Sequence, residues 1–176
     1  TTLLYQGEEL GLPQASLRRD QLRDPVGDLY WPYDGGRDGC RTPMPWAPGP
    51  NLGFTTGAPW LPAAAEHADL TVATQEADET SILAFSRRLI AWRKASPALR
   101  IGELELLDTP SPLLAFVRRA DGEAIACLFN MGENALRLSD DRLRGAELLD
   151  LGSGEAKATQ GGWILGPHAA RFLRLA

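Results

Sequence analysis

Between residues 82 and 92 apolar side chains recur at intervals of three and four: Ile82, Phe85, Leu89 and Trp92, widened by Leu83 and Ile90. That spacing predicts an amphipathic helix over 79–96. Asp78 or Thr80 can cap its start, Arg93 and Lys94 suit its negative end, and Pro97 closes it. From about 101 the pattern shortens to β segments: IGELELL, LLAFVRR, EAIACLF, ALRLS, AELLDL, GWILG and HAARFLRLA. Seven closely spaced strands are the pattern of an antiparallel sandwich or barrel. Asp121-Gly122 between two such runs predicts a hairpin turn, and AIACLF, apolar on both faces, predicts a central strand. At the other end, TLLYQ (2–6) is apolar throughout and predicts a buried strand. Between that strand and the helix, roughly 10–78, lies a long irregular stretch rich in proline, glycine and aromatics. A loop of that length is functional or disordered, and Tyr30, Trp31, Tyr33, Trp46, Phe54 and Trp60 give it too much apolar area for disorder. A lone strand and helix before an all-β module read as the last βα unit of a larger structure. Thr1 stands where a methionine would begin a gene product, so the chain is expected to be a piece of something longer.

Composition narrows the function classes. The 176 residues are 44% apolar and 23% charged, with a net charge of −5. An acidic balance argues against a nucleic-acid partner, which needs a basic face, and against a polybasic membrane anchor. No apolar run approaches the roughly 20 residues that span a bilayer, and the N-terminus lacks the basic start of a signal peptide. Cys40 and Cys127, far apart in sequence, are expected to remain reduced, in a cytoplasmic protein. His67 and His168 lack metal-ligand spacing, so neither a metal nor any other cofactor is expected.

The irregular stretch also carries the candidate chemistry. LLYQGEELGLP, DPVG, GRDGCRTPMPW, NLGF and PWLP, followed by SRRLIAWRKASPAL, together resemble the α-glucosidase branch of the α-amylase superfamily of glycoside hydrolases. The resemblance is strongest over 3–62 and most specific in RDGCRTPMPW; the β module alone would identify no family. It implies an α+β fragment: over 1–100 the C-terminal end of a (β/α)8 barrel (strand 8, its long loop and helix 8), and over 101–176 an antiparallel β-sandwich domain. Thr2 stands where the family has a proline. The implied function is the C-terminal segment of a retaining α-glucosidase acting on small α-linked glucosides, with that glucoside and the remainder of the barrel as partners.

Retaining glycosidases need a carboxylate nucleophile and a carboxylic acid about 5–5.5 Å apart. In the family these come from barrel strands four, five and seven, which this chain does not contain, so the resemblance assigns no catalytic residue and the segment is expected to be inactive alone. Glu8 and Glu9 are neighbours that an extended chain points to opposite faces, and Asp20, Asp24, Asp28, Asp34 and Asp38 lie in loops. The resemblance matches Arg37 to an arginine that reaches the glucose at the non-reducing end; its rigid fork of donors suits sugar hydroxyls. Arg41, Asp38 and Glu9 have two readings, loop bracing or a secondary part of the pocket, and bracing is favoured: Arg41 by pairing with Glu9 or Asp38, Asp38 within its turn, and Glu9 in a buried structural ion pair. Trp31, Tyr33, Trp46 and Trp60 have two readings, stacking on sugar rings or forming the loop's own small core, and the core is favoured; Trp92 is expected to belong to the helix core and Trp163 to the β core. The competing reading is a non-catalytic β-sandwich module that binds sugar or protein. The module's aromatics, Phe116, Phe129, Trp163 and Phe172, all fall in runs that read as buried, which favours packing over sugar binding.

Overall fold

The computed structural model describes residues 3–176 as two compact units, one ending at Arg88 and the other beginning at Leu89. Thr2 and its departure from the family pattern lie outside the described residues. The expected strand at 2–6 is not formed over its described part. Leu3, Leu4 and Tyr5 have no regular structure, and Leu3 is 87% exposed. A strand is completed by neighbouring strands, and both sheets of the chain are built from residues beyond 102.

The first unit is mostly irregular, held by short elements. Helix α1 spans Pro25–Tyr30 and α2 spans Val72–Glu76. Single 3-10 turns occur at Glu8–Leu10, Arg19–Gln21, Asp38–Cys40 and Ala65–His67, and a kinked one at Pro50–Gly53. One core gathers Leu10, Met44 and Leu83, with Leu12 and Val72 packed against it. Beside it the buried Gln75 side chain ties three segments together. Its Nε2 donates to the carbonyls of Leu10 (2.9 Å) and Leu70 (3.2 Å), and its Oε1 accepts from the Leu83 N–H (3.0 Å). The Leu83 amide lies in the first helical turn, where no intrahelical acceptor exists, so the side chain fills a real vacancy.

The aromatics do not form the loop's core. Tyr33 is 95% exposed, and Tyr30, Trp31, Trp46, Phe54 and Trp60 are all exposed. Small and aliphatic residues, among them Leu10, Leu52, Leu61 and Ala64, take the interior instead. Compact side chains fit between tightly turned backbone segments where indoles do not.

Helix α3, Ile82–Ala95, matches the periodic stripe. Neither expected residue caps it. The cap is Ser81, whose Oγ accepts from the Ala84 N–H at 3.1 Å, while Asp78 closes a turn just before by accepting from Thr80. Pro97 ends α3 and opens a further helix, α4 (Pro97–Ile101), capped by Ser96.

Eight strands follow: β1 (Glu103–Leu106), β2 (Leu113–Ala120), β3 (Glu123–Asn130), β4 (Leu136–Ser139), β5 (Glu147–Ser153), β6 (Ala156–Thr159), β7 (Gly162–Leu165) and β8 (Ala170–Arg174). They form two antiparallel sheets, ordered β1-β2-β3-β8-β5 and β4-β7-β6, which with the helices make the chain α+β. β3 is central and almost wholly buried, as its apolar pattern predicts. Asp121 (φ 50°) and Gly122 (φ 78°) make the expected tight turn between β2 and β3, where glycine takes a positive φ without steric cost. β6, an Ala-Lys-Ala-Thr run, is the strand the sequence pattern does not announce.

One core draws on both sheets: Val117, Ala126, Leu128 and Leu173 from the larger, Leu138, Trp163 and Leu165 from the smaller. Each such leucine contributes about 1.5–3 kcal/mol by leaving water. On the other face of the larger sheet, Ile125, Cys127 and Phe172 pack with Ala98, Leu89 and Trp92, and the Trp92 ring meets Phe172 edge-on at 5.0 Å.

Candidate functional site

Two of the candidate residues, Arg37 and Asp38, lie where α1 meets the segment 35–38. Asp24 caps α1: its Oδ1 accepts the Val26 N–H at 3.1 Å, and Pro25 occupies the first helical position, where no N–H is needed. Gly27, on that helix, lies against the backbone of Gly35 and Gly36. A β-carbon at 27 would stand 2.4 Å from the Gly35 carbonyl oxygen, so only glycine permits the approach. The approach brings Arg37 to the same aspartate. The Arg37 backbone N–H (3.1 Å) and Nε (2.9 Å) both donate to Asp24 Oδ2.

Asp38 returns the contact. Its Oδ2 accepts the backbone N–H groups of Arg23 and of Asp24, the latter at 2.7 Å. Two consecutive residues on each side, 23–24 and 37–38, thus clasp each other through two carboxylates. Both carboxylates are buried: the Asp24 side chain is 1% exposed, and Asp38 is fully covered. The Arg37 side chain is 65% exposed. Among the described residues its Nη1 and Nη2 groups have no partner, so the fork stands anchored at Nε and open at its tips. The guanidinium beside Asp24, helped by the Val26 and Arg37 N–H groups, holds the Asp24 carboxyl down at about 2.

The remaining candidates do not join this cluster as expected. Arg41 donates its backbone N–H to the Asp38 carbonyl at 2.9 Å, but among the described residues its side chain forms no ion pair with Glu9 or Asp38. Glu9 folds back onto its own turn, accepting the Gly7 N–H at 2.9 Å, because the tight turn Glu8–Leu10 presents that amide directly to it. Asp38 braces its loop through amides rather than through an arginine. The other loop acids are also engaged: Asp20 with Arg18, Asp28 with Arg19, and Asp34 with the Gly36 N–H. An open pocket of about 560 Å³ is lined among others by Asp20, Arg23, Asn51 and Trp60. Among the described residues no group of three or more His, Cys, Asp or Glu side chains is placed to hold a metal ion, and no helix is long and apolar enough to cross a membrane.

Asp24 and Gly27 are the members of the clasp that the sequence reading passed over. Asp-Pro followed by Val-Gly-Asp-Leu-Tyr carried the signal, a capping residue and a first-position proline, but it resembles turn chemistry equally well.

Comparison with known proteins now decides the family. The profile of the α-amylase catalytic domain matches residues 1–102, more than half of the chain. The chain belongs to the α-amylase family. Among curated relatives, a probable α-glucosidase of Rhizobium meliloti (strain 1021) is 48% identical over 135 residues, covering 77% of this chain and 24% of the relative. An oligo-1,6-glucosidase of Heyndrickxia coagulans is 30% identical over 155 residues, 77% of this chain and 28% of the relative. Among solved structures, the α-glucosyl transfer enzyme XgtA superposes with a TM-score of 0.90 at 40% identity, over 98% of this chain and 32% of that one. The chain therefore spans about a quarter to a third of the proteins it matches.

Proposed function

We propose that this α-amylase-family chain is the C-terminal segment of a retaining α-glucosidase acting on small α-linked glucosides. In this reading residues 1–100 supply the last βα unit of a catalytic barrel and 101–176 a β-sandwich, and Arg37 forms part of the glucose pocket. The observation that carries the reading is the 48% identity with a probable α-glucosidase. The open Nη groups of Arg37 support its role, since they offer paired donors to neighbouring hydroxyls. The engagement of the loop acids in bracing contacts fits a segment whose reacting carboxylates come from the remainder of the barrel. Both cysteines being free thiols supports a cytoplasmic setting.

The test has two arms. The isolated chain is expected to leave a nitrophenyl α-glucoside intact, and sustained turnover by it refutes the reading. The intact enzyme is expected to release α-glucose first, seen by NMR before mutarotation, and an initial β-anomer excludes retention. Glucosyl transfer is a second reading, favoured by the likeness to an α-glucosyl transfer enzyme. Adding an alcohol acceptor to the same assay separates the two: a glucosylated acceptor marks transfer and free glucose marks hydrolysis.

A further inference from the structure

We propose that Asp24 is the positioning residue of Arg37: it holds the guanidinium by Nε, so that Nη1 and Nη2 face the sugar in a fixed orientation. The inference rests on the reading of Arg37 as a substrate-binding residue. Its grounds are geometric. An arginine side chain has four rotatable bonds, and an exposed one samples many rotamers. Binding then carries the cost of immobilising it. Here the Nε–H and the backbone N–H of the same residue converge on one oxygen, Asp24 Oδ2. Two anchors on one acceptor fix both ends of the side chain's proximal part and leave the distal fork extended. The acceptor is itself immobile. Its other oxygen caps α1 through Val26, and its backbone N–H is held by Asp38. Gly27 against Gly35 and Gly36 sets the separation of the two segments.

A purely structural ion pair would satisfy the guanidinium more fully, by taking two of its nitrogens side by side. Asp24 instead takes only the inner nitrogen, and its second oxygen is spent on the helix cap. The pair is therefore built to orient the fork rather than to neutralise it. Because Arg37 would touch hydroxyls that do not react, its orientation affects ground state and transition state alike. Misorientation therefore appears in KM more than in kcat.

The experiment uses Asp24→Asn, which retains a capping oxygen for Val26 and removes the charge that holds Nε. In the intact enzyme this variant is expected to raise KM for a nitrophenyl α-glucoside roughly tenfold, the size of one lost charge-assisted hydrogen bond, with kcat little changed and the protein folded, though less stable, at neutral pH. In an Arg37→Ala background the same substitution is expected to change KM by less than about twofold, because the group it positions is gone. In the 176-residue chain, the Arg37 Nε–H resonance in ¹H–¹⁵N spectra is expected to be shifted and slow to exchange, and to return to the ordinary arginine envelope in Asp24→Asn. If Arg37→Ala impairs KM and Asp24→Asn does not, the positioning role is overturned while the pocket reading stands. If Arg37→Ala leaves KM unchanged, the pocket reading falls, and the Nε resonance alone then decides whether Asp24 holds the fork. An ordinary, fast-exchanging resonance in the unsubstituted chain overturns the clasp itself.

Discussion

Replacing Asp38 by alanine removes the acceptor of two backbone N–H groups, that of Arg23, part-buried, and that of Asp24, buried. Hydrogen bonds to a charged acceptor are worth about 1.5–3 kcal/mol each, so the gross loss is about 3–6 kcal/mol. An opposing effect reduces it. Asp38 is fully covered and its Oδ1 has no partner among the described residues, so removing the carboxylate also relieves a desolvation cost. The net loss is expected near the lower end, about 3 kcal/mol. Asp38→Asn keeps one acceptor oxygen in place as a neutral group, which about halves each bond while sharing the same relief, and should cost about 1 kcal/mol. The assay is amide hydrogen exchange read residue by residue, with urea unfolding followed by tryptophan fluorescence. In the alanine variant the amides of Arg23 and Asp24 should lose protection before their neighbours, and the first unit should unfold at lower urea. Unchanged protection at those two amides, or equal destabilisation by alanine and asparagine, would refute the reasoning.

Asp24, held at about 2 against an ordinary 3.8, stabilises the first unit fully above about pH 4 and progressively less as the pH falls towards 2. Acid unfolding of that unit should steepen in this window, and Asp24→Asn should flatten it; identical acid profiles would contradict the pairing. Gly27→Ala sets a β-carbon 2.4 Å from the Gly35 oxygen, so it should separate α1 from the 35–37 segment and abolish the protected Arg37 Nε–H signal, a change that spectra of the variant check directly. Burial pushes the Cys127 thiol up to about 12, whereas Cys40 is exposed. Iodoacetamide at pH 8 should therefore label Cys40 alone in the folded chain, and rapid labelling of both would contradict the burial of β3. Asn130→Ala, which strips partners from the carbonyls of Asn134, Leu165 and Gly166, should lower the stability of the β unit by about 2–4 kcal/mol in urea unfolding.

Helix α3 and the β2–β3 hairpin were legible because each is written locally, in an apolar period and in a two-residue turn. The strand expected at 2–6 is not formed over its described part for the opposite reason: hydrophobicity marks a segment that wants a sheet, not one that has a partner. β6 escaped because Ala-Lys-Ala-Thr has little intrinsic preference for extension and is held by pairing with β7. The aromatics of the long loop read as a core by size, yet aliphatic residues from distant segments occupy that interior. At the candidate site, Arg37 was singled out by its motif. Asp24 was one acid among several in loops, and its role depends on an approach of segments 13 residues apart that no local pattern encodes. Glu9 did not meet Arg41 because its carboxylate turns back to the nearer Gly7 N–H.

The Gln75 amide has a consequence for how this family can diversify. It fastens Leu10 to a point 65 residues further along, so the ends of the intervening stretch are pinned whatever happens between them. Lengthening a closed loop is cheap, about 0.6 kcal/mol for each doubling. Insertions and deletions in the pinned stretch, away from its clasped segments, can therefore accumulate while the frame that presents them stays in register.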